Sequence, residues 1–380
     1  MADRKHILVV LGTRPEAIKL APVVFALRDR PAAARVTLCS TGQHHSMLDE
    51  TLAAFDLRPD HELRVMQPGQ HPTELLARLL AALRPLLTET RPDAVVVQGD
   101  TTTVMAAALA GFLDGVRVAH VEAGLRTGDR HAPFPEEVNR RVTGVVADDH
   151  FVPTAKARDN LLAEGVPAER VFLTGNTIVD ALQWMRRRVA GVNPPADLVP
   201  PGRRLVLVTA HRRESFGPPL RDLCLALREV AERFDDVQLV YPVHLNPRVR
   251  GPVHELLADV PGITLTEPLP YGEFVTLLVK ASLVLTDSGG IQEEAPSLGT
   301  PTLVLREKTE RPEALRTGVV RLVGTCRERI VGEAVRILSD GATRKTMTRP
   351  VAVYGDGQAA RRIAEVLIDG RMTTPPFASV

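Results

Sequence analysis

Short apolar runs alternate with longer amphipathic segments along the whole chain. The apolar runs are typical of buried parallel strands, which are predicted at 6–11, 35–40, 94–98, 117–121, 149–152 and 170–173, and again at 204–210, 237–242, 263–266, 283–286, 301–305 and 319–323. The segments between them carry apolar residues at helical spacing, which predicts helices at 16–29, 46–55, 72–89, 102–114, 136–146, 155–164 and 177–190, and at 218–233, 247–258, 271–280, 290–298, 327–340 and 357–369. This alternation predicts parallel α/β sheets.

A stretch rich in proline and glycine interrupts the alternation at 191–203 and has no periodicity. It is the best candidate for a linker. We therefore expect an N-terminal Rossmann-like domain at 1–190 and a C-terminal one at 204–356. The predicted fold class is α/β, with two doubly wound domains facing a cleft. Ligands bind such sheets at the carboxyl ends of the strands.

The composition of the chain argues against several classes of function. The 380 residues carry a net charge of +1, which argues against a general nucleic-acid or membrane-surface role. The three cysteines, Cys39, Cys224 and Cys326, are far apart and lack metal-binding spacing. The chain begins directly with a strand, with no apolar segment of signal-peptide or membrane-spanning length. These features predict a cytoplasmic protein without a catalytic metal.

A glycine turn follows the strand at 283–286, with the sequence Thr286-Asp287-Ser288-Gly289-Gly290. Neither glycine has a Cβ, so the backbone can approach a ligand closely there. The free N–H groups of the helix that begins next form an anion site. A capped helix after a glycine turn is an equally good interpretation of this motif alone.

A second glycine turn follows the first strand, in Gly12-Thr13-Arg14-Pro15-Glu16. Arg14 and Lys19 bring cations to this turn, and Lys19 is one of only six lysines in the chain. From position alone, Arg14 is either a phosphate ligand or an ordinary surface charge. No GxGxxG follows the strand, which weakens a dinucleotide interpretation.

Four further polar groups lie at predicted strand or helix ends. Asp100 follows a buried strand and could equally cap the next helix. Glu122 lies in or just beyond an apolar strand, where an unpaired carboxylate is costly, so a function is favoured. Glu136 is one of two adjacent acids at a helix start; at most one faces the cleft, and the other is expected to be a solvated charge. His211 is either a phosphate or proton-transfer group or a structural histidine.

Twelve short motifs occur in consistent order along residues 7–360: GTRPEAIKLAP, TGQH, MQPGQ, QGDTTT, HVEAGLRTGD, PFPEEVNRR, LTGNTIVDAL, TAHRRESFG, YPVHLNP, LTDSGGIQEEAPSLGTP, ERPEAL and YGDGQA. Together they resemble the non-hydrolysing bacterial UDP-N-acetylglucosamine (UDP-GlcNAc) 2-epimerases. The resemblance implies the two-domain fold of nucleotide-sugar glycosyltransferases (GT-B). It also implies that the C-terminal segment at 357–380 packs back on the N-terminal domain.

The family's reaction is reversible epimerisation of UDP-GlcNAc to UDP-N-acetylmannosamine (UDP-ManNAc) at C2. UDP is eliminated to give 2-acetamidoglucal and is then added back, without a metal or nicotinamide cofactor. The resemblance implies that the catalytic residues are Asp100, Glu122, Glu136 and His211. It implies that substrate and UDP are bound by Arg14, Lys19, Phe274, Ser288, Gly289, Gly290, Glu294 and Arg311. Of these, Glu294 would bind the ribose hydroxyls, Phe274 would lie beside uracil, and Arg311 would complete the nucleotide site. Gln98 stands where some relatives have His, and His131 and Phe134 replace common aromatics, which leaves fine substrate contacts open.

Relatives often bind a second, allosteric UDP-GlcNAc, which the resemblance assigns to Gln43, Gln70, Arg212 and His244, with Glu136 shared. A homodimer is also expected. Three alternatives stay open: a hydrolysing 2-epimerase that releases UDP and free ManNAc, a GT-B glycosyltransferase that needs an acceptor, and a nucleotide-sugar sensor without turnover.

Overall fold

The computed structural model describes residues 4–42, 45–67, 69–212, 215–309 and 311–378. They form two compact units. The first comprises the described residues up to Trp184 together with those from Tyr354 onward, and the second comprises Met185–Val353. The predicted domain limits and the linker at 191–203 stay a prediction.

A parallel sheet of seven strands forms the centre of the first unit. Its strands are β1 (Lys5–Leu11), β2 (Ala34–Ser40), β3 (His61–Glu62), β4 (Ala94–Gln98), β5 (Arg117–Val121), β6 (Asp149–Val152) and β7 (Val171–Leu173). Its helices are α1 (Arg14–Arg28), α2 (His45–Ala54), α3 (Pro72–Thr90), α4 (Thr102–Leu113), α5 (Glu136–Val146), α6 (Ala155–Ala163) and α7 (Thr177–Arg188), with a 3₁₀ turn at Ala168–Arg170. The strand order is β3-β2-β1-β4-β5-β6-β7.

The second unit repeats this plan around six parallel strands. Its strands are β8 (Arg204–Thr209), β9 (Val237–Pro242), β10 (Ile263–Thr266), β11 (Ala281–Thr286), β12 (Thr302–Val304) and β13 (Val320–Leu322). Its helices are α8 (Pro218–Glu232), α9 (Pro247–Leu257), α10 (Tyr271–Lys280), α11 (Gly289–Leu298), α12 (Pro312–Leu315), α13 (Arg327–Ser339) and α14 (Gly341–Met347). The strand order is β10-β9-β8-β11-β12-β13.

The predicted fold class, with two doubly wound α/β domains, is confirmed by these two sheets. The central strands β4 and β8 are apolar and buried because helices cover both faces of each sheet. Sequence patterns missed β3, α12 and α14, which span two, four and seven residues and are too short to show a period. Within the described residues, no helix is both long and apolar enough to cross a membrane.

Both sheets have a switch point where the strand order reverses. In the first unit it lies between β1 and β4, which pair directly through Ile7 and Ala94. In the second it lies between β8 and β11, which pair through Leu207 and Val284. Loops that leave neighbouring strands at such a point open a crevice at the carboxyl end of the sheet. The candidate residues Asp100 and His211 follow strands at these two places.

The C-terminal helix α15 (Ala359–Asp369) belongs to the first unit and packs against α1. The buried Arg362 guanidinium donates hydrogen bonds to the backbone oxygens of Thr174 (2.8 Å) and Pro375 (2.7 Å). Burial of Glu365 opposes its ionisation, but hydrogen bonds from Thr374 and Thr373 outweigh it and lower its pKa to about 2. Polar contacts therefore hold the last helix and the segment after it in the first unit.

Candidate active site

The loops after β1 and β4 are joined by a buried carboxylate. Glu16 is 2% exposed, and it accepts hydrogen bonds from the Gly12 N–H (2.6 Å) and the Thr101 hydroxyl (2.8 Å). Burial raises the pKa of Glu16 to about 7. Gly12 has no room for a side chain, because an added Cβ would lie 2.3 Å from the Thr41 hydroxyl oxygen. Glu16 thus ties the turn that carries Arg14 to the turn that follows Asp100.

Glu122 occupies the centre of the first unit's site. Its carboxylate accepts hydrogen bonds from Lys19 Nζ at 2.7 Å through each oxygen, and from the side-chain amides of Gln98 and of Asn176 (3.1 Å). The residue is only 9% exposed and has a φ of 63°, a conformation that is uncommon for a residue with a side chain. A nearby cation and several donors favour the ionised form of a carboxylate. The expectation that a carboxylate here must be paired is therefore met by Lys19.

Asp100 is positioned by helix α5. Its Oδ2 accepts a hydrogen bond from Arg140 Nε (2.9 Å) and forms an ion pair with Nη2 of the same guanidinium (2.7 Å). Its backbone oxygen accepts a hydrogen bond from the Asn139 side chain (2.9 Å). The Thr101 side chain, and not Asp100, caps α4 by accepting from the Val104 N–H. Asp100 is thus free of the capping role that the sequence left open.

The two adjacent acids at the start of α5 have different environments. Glu136 is half-buried, and its Oε2 is buried without a hydrogen-bond partner among the described residues. Glu137 is fully buried and accepts hydrogen bonds from the backbone N–H groups of Thr127 (3.1 Å) and Gly128 (3.2 Å) and from Arg140. Burial alone would raise the pKa of Glu137, but these hydrogen bonds lower it.

The expectation that the second acid is a solvated charge was therefore wrong. Glu137 fixes the loop at 127–128 and helps to hold the arginine that binds Asp100. Glu136 is left as the acid with a carboxylate oxygen that has no hydrogen-bond partner among the described residues.

In the second unit, His211 lies directly after β8, beside Asp287 at the end of β11. Asp287 Oδ2 accepts hydrogen bonds from the backbone N–H groups of His211 (2.7 Å) and Arg212 (2.8 Å), and its Oδ1 lies 3.5 Å from His211 Nδ1. The His211 ring stacks on that of His244, with centroids 5.2 Å apart and planes 8° apart. Burial, together with His244 and Arg212, lowers the pKa of His211, while Asp287 acts in the opposite direction.

The two glycines that begin α11 serve different purposes. A Cβ on Gly289 would lie 2.7 Å from Arg311 Nη1, so this glycine makes room for the guanidinium. A Cβ on Gly290 would meet nothing closer than Glu294 Oε2 at 3.8 Å. The surface above Gly290 is open to a ligand, beside the free N–H groups of a helix start.

Arg311, predicted to complete the nucleotide site, lies against this helix start. Its Nε donates a hydrogen bond to the buried Glu293 carboxylate at 2.6 Å. Ser288 is the N-cap residue of α11, and its side chain makes no capping hydrogen bond. The structure thus brings Ser288, Gly289, Gly290 and Arg311 together.

Glu294 and Phe274, predicted to contact ribose and uracil, lie on α11 and α10. Both are buried: Glu294 is 4% exposed and Phe274 is 9% exposed. The Tyr271 hydroxyl, one turn before Phe274, donates a hydrogen bond to Glu294 Oε1 at 2.8 Å. This bond leaves Glu294 Oε2 on the side of Gly290.

The predicted allosteric residues are only partly described. Gln43 lies outside the described residues. Gln70 accepts a hydrogen bond from the Gln67 N–H through its own side chain (3.1 Å). Arg212 and His244 both adjoin His211, through the Asp287 carboxylate and the ring stack.

Among the residues that the structure covers, no group of three His, Cys, Asp or Glu side chains could hold a metal ion.

Sequence reasoning missed several groups that hold the candidates in place. Asn176 and Arg140 contact Glu122 and Asp100 from 54 and 40 positions away in the chain. Asp287 stood inside the glycine-turn motif but was not singled out. Asn176 and Arg140 also lie in motifs, LTGNTIVDAL and PFPEEVNRR, but nothing in the sequence indicated which residue each of them contacts.

Comparison with known proteins identifies the family. The family model described as UDP-N-acetylglucosamine 2-epimerase matches residues 26–368. The chain belongs to the UDP-N-acetylglucosamine 2-epimerase family. It is similar to the UDP-N-acetylglucosamine 2-epimerase of Escherichia coli (strain K12), with 50% identity over 376 residues that cover 97% of this chain and 99% of the relative.

Solved structures of 2-epimerases support the same family. The Neisseria meningitidis UDP-GlcNAc 2-epimerase bound to UDP-GlcNAc is 40% identical, with a TM-score of 0.90 over 96% of this chain and 100% of that one. A 2-epimerase structure from Listeria monocytogenes, described as putative, is 42% identical, with a TM-score of 0.90 over 99% of this chain and 100% of that one. The glycotransferase of kitacinnamycin, at 15% identity and a TM-score of 0.61, is similar in fold alone. The GT-B fold expected from the motifs is confirmed.

Proposed function

We propose that this chain is an isomerase that interconverts UDP-GlcNAc and UDP-ManNAc and retains the sugar as its UDP ester. The observation that carries the proposal is membership of the 2-epimerase family over residues 26–368. The arrangement of acids in the first unit and of the helix start in the second supports it.

The reaction requires more than simple deprotonation, because the proton at C2 of the sugar is not adjacent to a carbonyl and is not acidic. Elimination solves this problem: a base removes the C2 proton while the bond from C1 to the UDP oxygen breaks. Addition of UDP to the resulting 2-acetamidoglucal, with a proton delivered to the opposite face of C2, gives the epimer. The enzyme must supply a base, an acid and stabilisation of the leaving diphosphate.

The first unit offers three carboxyl groups with different partners. Glu122 is held by Lys19 and two amides and is suited to stay ionised. Glu136 has an unpartnered buried oxygen among the described residues and is suited to exchange a proton with a ligand. Asp100 is held through one oxygen by Arg140, so its orientation is fixed.

The second unit offers a site for UDP. The N–H groups at the start of α11, beside Ser288 and Gly290, suit the diphosphate. Arg311 adds a cation, Glu294 Oε2 is positioned for ribose hydroxyls, and Phe274 lies on the neighbouring helix for uracil. His211 would bind the diphosphate or transfer a proton.

The decisive experiment is incubation with UDP-GlcNAc in D₂O, with the products separated and analysed by mass spectrometry. We expect UDP-ManNAc with one deuterium at C2 and no accumulation of free sugar. Free ManNAc and UDP would identify a hydrolysing epimerase. Recovery of undeuterated UDP-GlcNAc alone would refute the proposal and point to a glycosyltransferase or a sensor.

The carboxylates are tested by Asp100→Asn, Glu122→Gln and Glu136→Gln. Each should lose about 10²–10⁴-fold in kcat, the usual contribution of an acid or base. His211→Asn should also be severely impaired. Glu164→Gln is the matched control, because Glu164 pairs with Arg126 in the same unit through a side chain that is 38% exposed. Near wild-type rates in all three carboxylate variants would refute the assignment of these residues to catalysis.

The UDP site is tested by Gly290→Leu and Arg14→Ala, with UDP affinity measured by calorimetry. Leucine at Gly290 should fill open space that a ligand needs, and loss of Arg14 should remove a cation that the family resemblance assigns to the substrate. Gly332→Leu is the matched control, because Gly332 also lies in a helix of the second unit with open space around it. Unchanged UDP affinity in both test variants would contradict the site.

We also propose that a second UDP-GlcNAc activates the enzyme through Gln43, Gln70, Arg212 and His244. The ring stack of His244 on His211 supports this, because it links a regulatory candidate to a catalytic one. Pure UDP-ManNAc should then turn over poorly until UDP-GlcNAc is added. Full activity on pure UDP-ManNAc without a lag would refute the proposal. Gln43→Ala should weaken activation and leave UDP binding nearly intact.

A cytoplasmic homodimer is the proposed working form. Three free cysteines, two of them buried, suit a reducing compartment. Light scattering after size exclusion should give twice the chain mass of 41.4 kDa, and a mass equal to one chain would contradict the dimer.

A further inference from the structure

Asp287 is a fully buried carboxylate to which the proposed reaction assigns no role. It is 0% exposed and lies at the switch point of the second sheet, where its own N–H donates to the Thr209 oxygen (3.0 Å). An ionised buried carboxylate is costly unless hydrogen bonds or cations offset the loss of water. Two backbone N–H groups supply that offset at Oδ2.

The second oxygen of Asp287 has no hydrogen-bond partner among the described residues. It is directed at His211 Nδ1, 3.5 Å away. This distance is long for a hydrogen bond, but catalytic contacts are often long before a ligand binds. Imidazole next to a carboxylate keeps its proton on the nitrogen that faces the carboxylate.

From this arrangement we propose that Asp287 is a positioning residue that fixes His211 as the Nδ1–H tautomer. Nε2 then faces the substrate as the proton-accepting nitrogen, and it donates a hydrogen bond to the diphosphate only after it has taken up that proton. The inference rests on the proposed function, because it deepens the role given there to His211.

The surroundings of the His211 ring include Arg212, the stacked His244 and the loop at Ala210. The His244 Nδ1 accepts a hydrogen bond from the Asn246 N–H (3.1 Å), which helps to hold the stacked ring in place. Arg212 and His244 disfavour a positive charge on His211, and Asp287 favours it. On the far side, the buried Tyr241 hydroxyl donates to the Ala210 oxygen (2.7 Å), which fixes the loop just before the ring.

The variant Asp287→Asn can separate the two contacts of this carboxylate, because both backbone hydrogen bonds go to the same oxygen, Oδ2. In Asp287→Asn the single amide oxygen can take that place and keep the loop. The amide NH₂ then replaces Oδ1 and faces His211 Nδ1 with a donor. The ring is forced into the Nε2–H tautomer, while Asp287→Ala would also lose both bonds to the loop.

The first measurement concerns turnover. Asp287→Asn should keep the melting temperature and lower kcat by about 10²–10⁴-fold, with a smaller change in KM and an altered pH profile of kcat. Adding Asp287→Asn to His211→Asn should cause little further loss, because the effect acts through that ring. The matched control is Asp236→Asn, whose carboxylate pairs with Arg204 at the surface of the same unit and should leave kcat unchanged.

The second measurement does not need activity. Two-bond ¹H–¹⁵N correlation spectra of ¹⁵N-histidine protein, assigned by the His211→Asn spectrum, should give the Nδ1–H tautomer in the wild type and Nε2–H in Asp287→Asn. The inference is overturned if wild-type His211 is the Nε2–H tautomer, or if a folded Asp287→Asn keeps kcat within about threefold. If the wild type makes no UDP-ManNAc, the proposed function fails, and the wild-type tautomer still decides the role of Asp287.

Discussion

Replacing Lys19 by methionine tests how the first unit tolerates the buried Glu122 carboxylate. The ammonium lies 2.7 Å from both oxygens, and the two side chains are 11% and 6% exposed. Lys19→Met keeps the aliphatic stem but removes the cation, while the amides of Gln98 and Asn176 stay as donors. Removing one partner of a buried ion pair generally costs about 3–5 kcal/mol.

Proton uptake sets an upper limit on this cost. A glutamate with an ordinary pKa of about 4.3 can be protonated at pH 7 for about 3.7 kcal/mol, at 1.36 kcal/mol for each unit. Glu122 in the variant would take up a proton before the penalty exceeded that figure. At pH 5 the same limit falls to about 1 kcal/mol, because pH 5 lies only about 0.7 units above the ordinary glutamate pKa of about 4.3. The penalty should therefore shrink as the pH falls from 7 to 5.

The chain contains its own reporter for this experiment. Trp184 is the only tryptophan in the sequence, belongs to the first unit and stacks on Phe25, with ring centroids 5.2 Å apart. Its fluorescence during urea denaturation should follow unfolding of the unit that holds the ion pair. Lys5→Met is the matched control, since Lys5 pairs with Asp93 at 3.7 Å with both side chains more than 40% exposed. Such a surface pair is worth about 0–1 kcal/mol.

Lys19→Met should lose about 3 kcal/mol at pH 7, and the double variant with Glu122→Gln should regain much of it, because no charge is then left buried. A loss below about 1 kcal/mol at pH 7, or a double variant no more stable than Lys19→Met alone, would refute the reasoning.

Three further outcomes are expected. Arg140→Met should lower kcat by at least tenfold, with little change in UDP affinity, because Asp100 loses the guanidinium that orients its carboxylate. Steady-state kinetics and calorimetry measure the two quantities, and an unchanged kcat would contradict this prediction. Tyr271→Phe should weaken UDP binding severalfold in calorimetry, because Glu294 loses its hydrogen bond, and equal affinity would argue against a ribose role. Since the pKa of Glu365 is lowered to about 2, the stability it gives the first unit is present above about pH 4.5 and is lost as the pH falls towards 2. The stability difference between wild type and Glu365→Gln, followed by tryptophan fluorescence, should therefore shrink over that range, and a constant difference would contradict it.

The sequence predicts most of the fold because period and strand length are local properties. Strands β4 and β9 agree with prediction at both ends. For β4 the run of three valines begins just after Asp93 and ends at Gln98, which leaves little choice. The chemistry at the strand ends was also predictable, because parallel strands deliver their last residues to one edge of the sheet. Asp100, Glu122 and His211 all lie at such ends.

The partners of these residues were not predictable, because they come from distant parts of the chain. Nothing local links Asn176 to Glu122 or Arg140 to Asp100. Glu137 was misjudged for a related reason: an acid in the first turn of a helix usually faces water, but here a loop folds over it and donates two N–H groups. A similar tertiary effect explains Gly289, where the neighbour that excludes a side chain is Arg311.

The return of α15 to the first unit also has a consequence for biosynthesis. A ribosome adds about 5–20 residues per second, so roughly 10–30 s separate the synthesis of Trp184 from that of Tyr354. During that interval the first unit lacks the helix that covers α1, while the second unit is a continuous stretch of chain and can close as it emerges. The nascent N-terminal half would thus be the part most exposed to chaperones and proteases. A premature stop codon shortly before residue 354 would harm the part of the protein that was made first.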